Sequence, residues 1–153
     1  MSLHPSASHS ANVPTLEILG ITHRIHLDGK QTGGMLSMVE IFGQPGDFVP
    51  PHIHHREEET FHVLEGQLEI TCAGHKHELR AGDTFFAPRN IPHSPKFTGN
   101  SPGRVLVTIT PAGFERFFRE AAELTDQGTA TPEVLGTLLK EKYGCDLLPP
   151  PHA

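Results

Sequence analysis

The chain has no block of basic residues, no apolar stretch near the roughly 18 residues that cross a bilayer, and only two cysteines in 153 residues. Each shortage excludes something. Twelve Lys and Arg against eighteen Asp and Glu give a net charge of −6 with no cationic stripe. Nucleic acid and anionic membrane surfaces are therefore excluded as the main partner. With no long apolar run, no transmembrane helix is expected. Cys72 and Cys145 lie far apart and form no paired framework, so reduced thiols in a cytoplasmic protein are the simplest expectation. Met1–Val13 is rich in Ser, His and Pro and has no apolar h-region, so no signal peptide is expected there. No internal repeat of the solenoid type is visible.

A chain of this length suits one domain with a sizeable core. After a tail at residues 1–14, short strand-like runs alternate with turn signals. They are Ile21–Leu27, Gly34–Phe42, Thr60–Leu64, Gln67–Cys72, His75–Leu79, Thr84–Ala87 and Arg104–Thr110. Asp28-Gly29 reads as a tight turn, Pro45-Gly46 as another, and Glu65-Gly66 and Ala73-Gly74 as hairpins. This pattern predicts an antiparallel sandwich or barrel over residues 15–112. Beyond Pro111 the period becomes helical. Phe114, Phe117, Phe118, Ala121 and Leu124 share a face, with Glu115, Arg116, Arg119 and Glu120 on the other side. Thr131-Pro132-Glu133 starts a second helix and Gly144 is placed to end it. Helices are thus expected over residues 113–145, followed by an extended tail at 146–153.

Twelve histidines are present, and they cluster. His52 and His54 sit two apart, so on an extended strand both imidazoles face the same way. Glu59 begins the next strand-like run and can fold back opposite them. His93, between the two prolines Pro92 and Pro95, starts a further strand that could bring a third imidazole to the same point. Three imidazoles and one carboxylate suit a mid-field divalent metal. An HxH on an exposed strand is the bland alternative for His52 and His54. Glu58 competes with Glu59 as the carboxylate, but only Glu59 leaves six residues before Gly66. Glu57 and Glu58 then read as a solvated rim.

These residues resemble the cupins. The first cupin motif runs G, five residues, HxH, three or four residues, E, six residues, G, and it is matched by Gly46, His52, His54, Glu59 and Gly66. The second runs G, five residues, P, x, G, two residues, H, three residues, N. Gly82, Pro88 and His93 match it, whereas Asn90 replaces the glycine and Phe97 the asparagine. Within the family, PPHIHHREEETFHVLEGQ and the later GFERFF are most similar to single-domain, quercetin-dioxygenase-like members. The resemblance implies an all-β, jelly-roll double-stranded β-helix barrel with a short C-terminal helical extension. It implies one divalent transition metal (Fe, Mn, Ni, Co, Cu or Zn) on His52, His54, Glu59 and His93, and a homodimer. It further implies an oxygenase-type activity on a small organic molecule. One carboxylate leaves residual positive charge on a divalent ion and so favours an enolate or phenolate ligand, which makes a dioxygenase of a small enol- or phenol-type molecule the first reading, with Glu59 as ligand and base. A metal-dependent binding or sensing module without turnover is the second reading, and an isomerase or lyase the third.

Other residues carry weaker signals. Phe61, Val63 and Phe86, or Phe85 in its place, are candidates to line an apolar pocket, with core packing as the alternative. His55, His62, His75 and His77 read as surface or structural residues. The helix carrying Phe114, Phe117 and Phe118 either closes the barrel mouth or packs on an outer face.

Overall fold

The computed structural model of the chain describes residues 3–149; Met1 and Ser2 of the expected N-terminal tail and residues 150–153 of the expected C-terminal tail lie outside that range. A six-stranded antiparallel sheet runs β1 (Leu16–Ile18), β2 (Ile21–Leu27), β3 (Ser37–Gly43), β10 (Gly103–Thr110), β5 (Glu58–Glu65) and β8 (Thr84–Ala87), in that spatial order. A five-stranded sheet runs β11 (Cys145–Leu147), β4 (His52–His54), β9 (His93–Thr98), β6 (Gln67–Cys72) and β7 (His75–Arg80). The two sheets form a jelly-roll barrel, extended by α2 (Glu115–Asp126) and α3 (Pro132–Tyr143). No helix among the described residues is long and apolar enough to cross a membrane.

Strand alternation sets the core. On β10 every second residue is buried, and Val105, Val107 and Ile109 face Val63, Phe61 and Glu59 of β5 in register. Val39, Ile70 and Leu68 join them from β3 and β6. Each such side chain stabilises the fold by about 1.5–3 kcal/mol relative to exposure. Because β5 and β10 hold one register from Val105 to Thr110, the acidic Glu59 is carried inward on the same face as these apolar residues.

Two turns differ from the sequence reading. Glu65-Gly66 is not a hairpin: β5 and β6 lie in different sheets, and Gly66 is where the chain crosses between them. Gly66 has φ +74°, and a Cβ there would lie 2.7 Å from Gly103 Cα, so only glycine fits the crossing. Asp28-Gly29 opens a short helix, α1 (Gly29–Thr32), instead of a tight turn. The Asp28 carboxylate accepts from Lys30 N and Gln31 N, while the Gln31 side chain accepts from Asp28 N, a reciprocal cap. By contrast Ala73-Gly74 joins β6 to β7 with both residues at positive φ, as a tight hairpin requires.

The helices dock as one unit. Thr131 Oγ1 accepts from Val134 N at the start of α3, and Gly144 ends it in the left-handed conformation. Tyr143 Oη donates to Glu120 across the α2–α3 contact. Glu115, read from sequence as part of the polar side, is instead buried. Its carboxylate accepts from Gly29 N and Gly113 N, tying the start of α2 to the start of α1. After Gly144 the chain forms β11, pairing with β4 in the register Cys145–His54 and Leu147–His52.

Candidate metal centre

His52 and His54 stand on β4, Glu59 on β5 and His93 on β9, so both sheets contribute to one point inside the barrel. His52 is paired directly with His93 across β4 and β9, and β5 faces them from the other sheet. One ligand atom from each of the four residues lies within 4.8 Å of the other three, and all four side chains are buried. Glu59 bridges the group. Its Oε2 lies 2.9 Å from His93 Nε2 and its Oε1 lies 3.4 Å from His54 Nε2. His52 Nδ1 donates to the Pro50 carbonyl at 2.8 Å, which leaves Nε2 as the nitrogen able to bind an ion.

The electrostatics favour a positive centre. Burial raises the cost of charge on Glu59, but His54, His93 and His52 outweigh it and hold the carboxyl down at about 2. Burial, with His93 and His54 adding to it, pushes His52 down to about 3 and keeps it neutral. His54 goes the other way. Burial opposes its charge, yet Glu59, aided by Cys145 and Glu57, raises it to about 11. An anionic carboxylate among imidazoles, sealed from water, is a donor set that a divalent first-row ion fits. Among the described residues neither buried His54 Nδ1 nor buried His93 Nδ1 makes a hydrogen bond, and the Glu57 carboxylate stands 3.4 Å from His54 Nδ1 as a group that would orient that ring.

Residues 41–109 match the family model described as the cupin domain. Those residues are a cupin domain. This cupin is similar to a quercetin 2,3-dioxygenase of Bacillus subtilis (strain 168), 36% identical over 97 residues, covering 63% of this chain and 28% of that protein. It is also similar to a probable germin-like protein subfamily 2 member 5 of Arabidopsis thaliana, 42% identical over 88 residues, covering 54% of this chain and 41% of that protein. The chain therefore spans less than two thirds of the length of either relative. Among solved structures, KdgF from Halomonas sp. superposes with a TM-score of 0.67, covering 74% of this chain and 99% of that one. At 22% identity that likeness is one of fold.

An apolar cavity of about 260 Å³ lies beside the four residues without including any of them in its wall. Phe61 separates the two: it lines the cavity, and its ring centroid lies 5.7 Å from that of His93. Phe117 and Phe118 of α2 and Leu135 and Leu139 of α3 complete the wall, so the helical extension covers this side of the cupin barrel. Of the pocket residues expected from sequence, Phe61 is therefore the one on the wall. Val63 is fully buried in the core and is not part of the cavity wall. Phe86 is 57% exposed, a correction that follows from register: it pairs with Thr60, whereas Phe85 and Ala87 pair with inward-facing Phe61 and Glu59.

Glu57 also corrects the sequence reading. It is buried, not part of a solvated rim, and lies against His54. Its parity with Glu59 was the available signal. Glu58, between them, faces out and pairs with Arg89. His62 faces away from the cluster and bonds Thr84. His23, which no motif marks, is buried and lines the cavity. It shares the parity of Ile21 and Ile25 on β2, ahead of the register shift that follows Ile25.

Proposed function

We propose that this cupin is a metal-dependent dioxygenase acting on a small organic molecule that presents an enol or phenol oxygen. The observation that carries this reading is the buried set of three imidazoles around one carboxylate, with His52 Nε2 left free by the hydrogen bond from Nδ1 to Pro50. In this proposal His52, His54, Glu59 and His93 hold one divalent transition ion. When bound, that ion supplies a Lewis-acidic, redox-capable centre for substrate oxygen and dioxygen. The residues of the chain do the rest. Glu59 Oε2, already within hydrogen-bond reach of His93, accepts the proton released from the substrate oxygen. Phe61 and Phe114, whose rings contact His93 and His54, keep water from the cluster. The similarity to a quercetin 2,3-dioxygenase supports an oxidative reaction on such a substrate.

Oxygen uptake by metal-loaded protein with flavonols, other enols and β-diketones tests the proposal, with products compared under air and under argon. Oxygen consumption coupled to a product formed only in air is the expected result. Identical products with and without oxygen would sink the dioxygenase reading. One observation favours a second reading, binding without turnover: all four residues are buried and none lines the cavity. Stoichiometric metal with no oxygen uptake for any of these substrates would make it the better account.

A further inference from the structure

The cavity wall is built from aliphatic and aromatic side chains with one exception. His23 is the single polar side chain among the described residues that line it. The imidazole is 6% exposed, and its ring lies against Phe118, with centroids 5.0 Å apart. Its Nδ1 donates to the Ile21 carbonyl at 3.0 Å. That bond places the ring proton on Nδ1 and leaves Nε2 as an acceptor, and no hydrogen bond among the described residues reaches Nε2. Burial also pushes the His23 pKa down to about 4, so the ring is neutral at ordinary pH.

We infer that the cavity is a binding site for a one- or two-ring aromatic molecule carrying a hydroxyl donor, with His23 Nε2 accepting that hydrogen bond.

Size, wall and polarity each contribute to this assignment. An engineered cavity of about 150 Å³ takes benzene, so about 260 Å³ has room for a second ring. Phe61, Phe97, Phe117 and Phe118 offer faces and edges to an aromatic ligand. A carboxylate or a polyol would be desolvated with almost nothing to pair with it, and the wall rejects both. A lone acceptor in an apolar wall discriminates sharply, because a bound ligand without a donor leaves Nε2 dehydrated and unpaired. Binding here goes beyond the metal reading, since none of the four cluster residues is on the wall.

The test is a fluorescence titration of the full chain, as purified and again with chelator, using 2-naphthol and its methyl ether, 2-methoxynaphthalene. Both should bind, the naphthol about tenfold tighter, as one hydrogen bond to a buried acceptor provides. Chelator should change neither affinity. In His23→Phe the naphthol should lose its advantage while the ether still binds, which also shows that the variant is folded. In Leu135→Trp, which fills the cavity, both ligands should be lost. Three results would overturn the inference: neither compound binds the wild type, both bind equally, or the naphthol preference survives in His23→Phe. A preference that disappears with chelator and persists in His23→Phe would place the hydroxyl on the metal instead. Because oxygen uptake plays no part in this titration, its failure leaves the dioxygenase proposal untouched.

Discussion

Glu57 Oε2 lies 3.4 Å from His54 Nδ1, on the ring edge opposite the one that faces Glu59. Both atoms are buried, and among the described residues neither makes a hydrogen bond. A carboxylate behind a candidate ligand imidazole orients the ring and makes it a better donor, and losing such a partner typically costs 10–100-fold in metal affinity. Glu57→Gln should therefore bind a divalent ion about tenfold or more weakly in a competition against a fluorescent chelator, with the folded spectrum retained. An unchanged affinity would mean that Glu57 does not act through His54.

If the four residues hold an ion, metal content follows from them directly. Elemental analysis of the purified protein should give about one transition ion per chain, and the His52→Ala, His93→Ala double variant should give none. The choice of this pair follows from register: His52 and His93 are direct partners across β4 and β9, so the double change removes two donors from one side of the cluster. Full metal content in the double variant would remove the site from consideration.

Local rules made most of the barrel and the four-residue cluster legible. Gln67–Cys72 and Thr84–Ala87 are strands with the bounds that their turn residues suggest, and the spacing of His52, His54, Glu59 and His93 anticipates a cluster that forms across two sheets. What was not legible depended on register or on distant partners. Phe85 and Phe86 are adjacent, and which one faces inward is set by the pairing of β8 with β5, where a slip of one residue would exchange them. Glu57 sits in a run of three glutamates that looks solvated, and its burial depends on packing against His54. Cys145–Leu147 has too few residues to announce a strand, and it becomes one only because α3 delivers it to the edge of β4. The exchange of asparagine for Phe97 at the end of the second motif became intelligible only in three dimensions.

Phe97 is buried between two glycines that are themselves cross-strand partners, Gly43 on β3 and Gly103 on β10. A Cβ at Gly43 would come within 2.2 Å of the Phe97 ring, and one at Gly103 within 2.4 Å. The ring occupies the space where two side chains would otherwise meet. Gly103→Ala should therefore cost roughly 1–3 kcal/mol through overpacking. Phe97→Ala alone should cost roughly 3–5 kcal/mol. Combined, the two should cost at least about 1 kcal/mol less than their sum, because the smaller residue removes the clash. Urea denaturation of the four proteins closes the cycle, and strict additivity would show that Gly103 is not conserving room for the ring.

The buried His23 makes a pH prediction whose direction is fixed by its environment. Burial lowers its pKa in the folded protein from 6.5 to about 4, against smaller upward contributions from the Ile21 carbonyl and Glu17. Between those two values the unfolded chain holds a proton on this ring that the folded chain does not. The stability His23 permits is therefore complete above about pH 6.5 and is lost as the pH falls towards 4, by on the order of 3 kcal/mol at the low end. Other groups titrate in the same window, so the comparison must be made against a variant that lacks only this one. His23→Phe keeps a ring against Phe118 and removes the ionisable nitrogen. Denaturation at pH 7 and pH 4.5 should show wild type losing about 2–3 kcal/mol more than the variant on acidification. Equal losses in the two proteins would mean that His23 protonates within the folded state without penalty, and that its surroundings in the cavity are wetter than its packing against Phe118 implies.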